Sequence, residues 1–127
     1  MFKNGLSGIL YRRIIAAGMH SLKGLKDAIQ KEEAFRVQIV LSFFLVPAAF
    51  VVATDYIQLL LLILSLFIVL IVELLNTGIE IVVDRIGSEF HELSGRAKDI
   101  GSAAVFLSML AFIIVWGTII VFNYKLF

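Results

Sequence analysis

Two carboxylic acids and an amide, Glu73, Asn76 and Glu80, stand where a lipid-buried helix should carry none. They follow the run YIQLLLLILSLFIVLIV (residues 56–72), which is long and apolar enough to cross a bilayer. An ionisable side chain in such a segment costs from about 3 to more than 10 kcal/mol. At helical spacing Asn76 lies roughly −60°, Glu80 roughly −20° and Asp84 roughly +20° from Glu73, so all four share one face. Groups placed this way coordinate something, do chemistry, or tie helices together by hydrogen bonds. Two carboxylates flanking an amide on one stripe favour chemistry.

Depth along the helix separates two chemistries. About 20 residues cross a hydrocarbon core of roughly 30 Å. Counted from Tyr56, the inner boundary falls near Leu75. Glu73 is therefore placed to meet a polar group of a membrane lipid. Glu80, roughly 10 Å further along the axis, is placed to meet something dissolved. A hard oxygen ligand there suits Mg²⁺, which takes one or two carboxylates together with phosphate oxygens.

The elements that must position this stripe follow from composition and pattern. Of 127 residues, 61% are hydrophobic and 17% charged, with a mean hydropathy of +1.01. Soluble domains are closer to half apolar, with about a quarter of their residues charged. The composition is that of an integral membrane protein, and the length suits one domain, residues 1–127. The absence of cysteine excludes disulfides and thiolate metal sites. A formal charge of +1 without a basic block gives no sign of nucleic acid as a partner.

Three stretches are long enough to span: about residues 34–53, containing Pro47 as a candidate kink, 56–85 and 97–122. Thr54 and Asp55 leave only a tight turn between the first two, while residues 86–96 are expected to form the one substantial loop. Seven basic residues (Lys3, Arg12, Arg13, Lys23, Lys26, Lys31, Arg36) precede or open the first crossing. Arg85, Arg96 and Lys98 lie around the second loop, and Lys125 alone falls on the opposite side. The positive-inside rule puts the N-terminus and that loop in the cytoplasm and the C-terminus outside. Trp116 and Tyr124, near the outer end, read as lipid-interface anchors.

The segment at about residues 6–31 is too charged to span. Ile15, Leu22, Leu25 and Ile29 fall on one side and Arg12, Arg13, His20, Lys23, Asp27 and Lys31 on the other. An amphipathic helix on the cytoplasmic membrane surface fits this pattern best, with a soluble helix docked on a partner as the alternative. The N-terminus lacks the basic-then-apolar order and cleavage site of a signal peptide.

The loop and third crossing begin DRIGSEFHELSGRAKDIGSAAVF, residues 84–106. Gly87, Ser88, Ser94 and Gly95 suggest a pliable turn whose amides could meet an anion. Lys98 is a cation near a helix start, where the dipole also favours phosphate. His91, between Glu89 and Glu92, reads from chemistry alone as an ordinary solvated histidine. No Walker-type GxxxxGK[ST] or kinase GxGxxG occurs, so any nucleotide site is unconventional.

This run closely resembles the small bacterial integral-membrane diacylglycerol kinases. The matching pieces are ELLNTGIE (residues 73–80) with Val83, Asp84 and Arg85, then GSEFHELSGRAKD (87–99) and GSAAV (101–105). EEAFR (32–36), Arg13, Ser21, Gly24 and Leu25 fit the family's surface helix and first crossing. The resemblance spans essentially the whole chain. It implies an all-α fold, a surface helix plus three transmembrane helices, assembled as a homotrimer with composite sites in the bacterial inner membrane. It also implies transfer of the ATP γ-phosphate to diacylglycerol, giving phosphatidic acid and ADP.

Carried over by position, Glu73 resembles the general base that takes the lipid hydroxyl proton, and Asn76 helps orient the constellation. Glu32 and Glu80 are similar to the metal-binding pair for Mg²⁺. Arg13, His20, Glu32, Glu80, Glu89, Phe90, His91, Lys98 and Asp99 resemble nucleotide contacts. Arg13, Ser21, Glu73 and Ser102 resemble lipid contacts. Gly18, His20, Leu22, Gln38 and Phe90 depart from residues common in the family: Ala, Tyr, Trp, Glu and Tyr. Two alternatives stay open: the same chemistry with undecaprenol as acceptor, and a small oligomeric proton-coupled transporter with Glu73 as proton carrier.

Overall fold

A computed structural model describes residues 5–126 as four helices. Lys3, counted above among the basic residues, lies outside the described residues. Helix α1 is Leu6–Lys31, α2 is Glu33–Val52, α3 is Tyr56–Ile86 and α4 is Glu92–Tyr124. The last three are long and apolar enough to cross a membrane. At 1.5 Å per residue α3 is about 46 Å long, more than the hydrocarbon core, so its last turns project beyond it.

One residue separates α1 from α2. Glu32 is extended (φ −100°, ψ 112°) and breaks the helix, while its amide still donates to the Ala28 carbonyl. Arg36 folds back to donate through one guanidinium nitrogen to the Gln30 carbonyl at 2.8 Å and the Ile29 carbonyl at 3.4 Å. A cation on the carbonyl end of α1 satisfies acceptors that the helix leaves open. Lys31 donates to Asp27 at 2.6 Å, and that hydrogen bond raises its pKa above the usual lysine value. Ala28 and Phe35, on either side of the hinge, are both buried. The remaining apolar residues of α1 are exposed, including Ile15, Leu22, Leu25 and Ile29.

At the opposite end of the bundle, Asp55 caps α3 by accepting from the Gln58 amide at 2.9 Å, which stops the chain within a tight turn. Gln58 and Asn123 then pair through both amide groups. Gln58 Nε2 donates to Asn123 Oδ1 (3.1 Å) and Asn123 Nδ2 donates to Gln58 Oε1 (2.8 Å). Asn123 Nδ2 also reaches the Val52 carbonyl at 2.7 Å. This clasp joins the end of α2, the start of α3 and the end of α4. Beneath it, Ala49, Leu62, Leu66, Trp116 and Ile119 form the buried apolar core.

Two expectations are corrected here. Trp116 is not an interface anchor: it is 7% exposed, and its indole N–H donates to Ser65 Oγ at 3.2 Å. A ring that fills the gap between α3 and α4 and finds an acceptor there gains more than one left at the headgroups. The second loop is residues 87–91, not 86–96, because His91 caps α4 by accepting from the Leu93 amide at 3.2 Å. Ser94 and Gly95 are helical, and the Gly95 amide is taken by the His91 carbonyl. Pro47 lies inside α2.

The burial of Trp116 leads to a stability prediction. Trp116→Ala should cost about 3–5 kcal/mol, the range for removing a large buried aromatic. Trp116→Phe keeps most of the volume and loses only the hydrogen bond, at about 1 kcal/mol. Denaturant titration of the helical signal in detergent micelles measures both.

Candidate active site on helices α3 and α4

Glu73 is 7% exposed and Asn76 9% exposed within a single chain. The three long helices therefore shield the upper part of the stripe from lipid without help from a second subunit. Gln38 of α2 donates through Nε2 to Glu73 Oε2 at 2.9 Å. Asn76 Nδ2 donates to Glu80 Oε1 at 3.2 Å, one helical turn along. Thr77, beside Asn76, is also buried, Glu80 is half-buried and Asp84 is exposed.

The close approach of α4 is made at Gly101, which is buried. A Cβ there would lie 2.3 Å from Asn76 Oδ1 and 3.4 Å from Asn76 Cγ. Of the small residues at 101–104, only Gly101 is buried; Ser102, Ala103 and Ala104 are exposed. The Asn76 side chain thus occupies the space that a larger residue would fill. Its Oδ1 is buried and has no hydrogen-bond partner among the described residues, as is the case for Gln38 Oε1. Each such orphan costs on the order of 1–3 kcal/mol. A chain that carries both beside two carboxylates holds these amides for a purpose other than stability.

At the end of α3, Lys98 donates to Asp84 Oδ1 at 2.6 Å and links the start of α4 to the end of α3. This pair forms one wall of a shallow open cleft of about 200 Å³. Gly87, Ser88, Glu89, Phe90 and His91 complete it. Phe90 is 93% exposed at its rim. Glu89, His91 and Asp99 are exposed as well. The expected nest of free amides is reduced, since those of Leu93 and Gly95 are already bonded.

The structure brings Glu73, Asn76, Glu80, Lys98 and the loop residues onto one side of α3 and α4. It does not bring α1 to them: α1 packs mainly against α2. Arg13 and His20 are exposed, and Ser21 Oγ is turned back to the Ala17 carbonyl at 2.9 Å. Glu32 sits half-buried at the α1–α2 hinge. Among the described residues no three histidine or acidic side chains converge as a metal cage. The donor set still fits a hard divalent cation. Asn76 holds only Oε1 of Glu80, and such ions take one or two carboxylates with phosphate oxygens and water.

Sequence reasoning missed three features. Gln38 was noted only as a departure from the resembling family, although a lone amide within VQIVLSFF is itself a signal. Asp84 was placed on the stripe without its Lys98 partner. Gly101 was one of four small residues, with nothing to single it out as the neighbour of Asn76.

Comparison with known proteins gives a consistent result. The family described as prokaryotic diacylglycerol kinase matches residues 19–120. The chain is 51% identical over 106 residues to a diacylglycerol kinase of Escherichia coli, covering 84% of this chain and 87% of that one. It is 48% identical over 109 residues to a diacylglycerol kinase of Haemophilus influenzae, covering 86% and 92%. A diacylglycerol kinase of Pseudomonas aeruginosa is 41% identical over 109 residues, covering 86% and 89%.

The Asn76–Gly101 contact can be tested by stability. Gly101→Ala forces the buried amide aside or the helices apart and should cost about 1–3 kcal/mol. The double variant Asn76→Ala/Gly101→Ala removes the atoms in conflict and should recover part of that loss. Thermal unfolding of the three proteins in one detergent gives the comparison.

Proposed function

Because the chain belongs to the prokaryotic diacylglycerol kinase family, we propose that its buried stripe and loop cleft form the two halves of a phosphoryl-transfer site. The protein is a diacylglycerol kinase, a lipid kinase using ATP. The undecaprenol and transporter alternatives are not favoured by this membership. The observation that carries the site reading is the burial of Glu73 at the lipid boundary, hydrogen-bonded on one oxygen.

Glu73 acts as general base. The diacylglycerol hydroxyl oxygen forms the new bond to the γ-phosphorus while the bond to the β,γ-bridging oxygen breaks. The hydroxyl proton passes to Glu73, and phosphatidic acid and ADP leave. Such a reaction needs chiefly positioning and charge neutralisation. Asn76 orients Glu80 through the hydrogen bond between them, and Gly101 fixes Asn76. Lys98, held at the cleft by Asp84, would exchange that partner for a phosphate oxygen. Glu89, Phe90, His91 and Asp99 line or flank the space for the nucleotide. Ser102, exposed one residue beyond Gly101, faces the lipid side of the reading. When bound, Mg²⁺ held by Glu80 and Glu32 supplies charge neutralisation for the phosphates.

The site is composite in this reading. Arg13, His20 and Ser21 are exposed on α1, away from the stripe of their own chain, so they serve a neighbour's stripe in a homotrimer. The amphipathic face of α1 lies on the cytoplasmic surface of the inner membrane. The N-terminus and active site are cytoplasmic and the C-terminus is outside, as the distribution of basic residues requires.

Labelled γ-phosphate from MgATP should appear in phosphatidic acid in detergent–lipid micelles. Glu73→Gln should lower that transfer by roughly 10²–10⁴-fold, the usual contribution of a general base, without dissociating the oligomer. Undiminished turnover would remove Glu73 as base. Shared sites make a further prediction: mixing Glu73→Gln subunits with Arg13→Ala subunits should restore part of the wild-type rate. Sites confined to one subunit would leave the mixture at the level of its two parents.

A further inference from the structure

The hydrogen bond between Gln38 and Glu73 has no part in the roles assigned above. Gln38 Nε2 donates to Glu73 Oε2 at 2.9 Å across the α2–α3 contact. Its Oε1 is buried and unpartnered among the described residues. The amide turns its nitrogen to the accepting Glu73 oxygen, which aims its own oxygen elsewhere. Gln38 also lines an apolar groove of about 240 Å³ with Leu41, Leu66, Leu70, Met109 and Phe112. The amide therefore stands between a groove of lipid-like character and the carboxylate.

Among the described residues, no charged side chain of the packed helices is recorded on Glu73 in its place. Arg36 of α2 is committed to the carbonyls of α1. On α3, Glu80 is held by Asn76, and on α4 Lys98 is held by Asp84. Gln38 is the side chain that hydrogen-bonds to Glu73 from a neighbouring helix.

We propose that Gln38 is a positioning residue, holding Glu73 by Oε2 so that its other oxygen meets the lipid hydroxyl at the head of the groove. The inference rests on the reading of Glu73 as the base. A functional group set within about half an ångström by a supporting hydrogen bond loses rate when that support is removed. The loss falls on the chemical step, since Gln38→Met keeps the apolar stem that lines the groove and removes the hydrogen bond to Glu73.

The test uses the full chain as its oligomer in detergent–lipid micelles. Gln38→Met keeps the length of the side chain and removes both polar atoms. kcat should fall about tenfold, while KM for MgATP and for diacylglycerol stays within about twofold. The infrared band of the Glu73 carboxyl group, assigned by its loss in Glu73→Gln, should shift in Gln38→Met. An unchanged kcat or an unmoved band overturns the proposal. So does a fall in kcat accompanied by raised KM and lowered thermal stability, which marks a packing role. An inactive Glu73→Gln beside a fully active Gln38→Met removes the positioning role and leaves the base. A fully active Glu73→Gln removes the base and, with it, the reason for positioning.

Discussion

A carboxylate near the hydrocarbon boundary must find its hydrogen bonds inside the protein, because lipid offers none. Glu73 meets that condition through Gln38 of the neighbouring helix. The arrangement of the inner half of the bundle follows from it. α2 must come close enough to α3 to lend an amide, and α4 must come close enough to cover Asn76. A residue without a side chain at 101 makes the second approach possible, since any Cβ there would collide with Asn76.

The two ends of the bundle divide the work. The end at the α2–α3 turn holds the helices together, with the Gln58–Asn123 amide pair closing the turn and Trp116 filling the core beneath it. Polar contacts there are mutually satisfied. Towards the opposite end the pattern reverses: among the described residues Gln38 and Asn76 each leave a buried oxygen unmet, and Lys98 and Asp84 form a pair at an open cleft. A kinase acting on a membrane lipid needs this asymmetry. In the proposed site, the base reaches a hydroxyl held at the lipid boundary while the nucleotide stays in water a few turns away on the same helix.

Much of the fold was legible in the residues. The three apolar runs, the tight turn at Thr54 and Asp55 and the end of α1 near Lys31 all follow from hydropathy and helical periodicity, and the helices, apart from the start of α4, begin and end close to where these place them. The start of α4 was not legible. Gly95 and Ser94 carry loop propensity, and nothing local announces that His91 will accept from the Leu93 amide and start the helix earlier. Trp116 was misplaced for a similar reason. Position along a span says how deep a residue lies, and says nothing of whether it turns towards lipid or towards another helix.

The order of side chains settled that Glu73, Asn76, Glu80 and Asp84 share a face and that this face follows the apolar run of a helix long enough to cross a membrane. Helical periodicity and bilayer thickness are fixed quantities, so a count of residues is enough. Which neighbours those four side chains acquire was settled only by folding. Gln38, Gly101 and Lys98 lie 35, 25 and 14 residues from their partners Glu73, Asn76 and Asp84. Hydrogen bonds act over about 3 Å, and only the packing of three helices brings such distant residues within that reach.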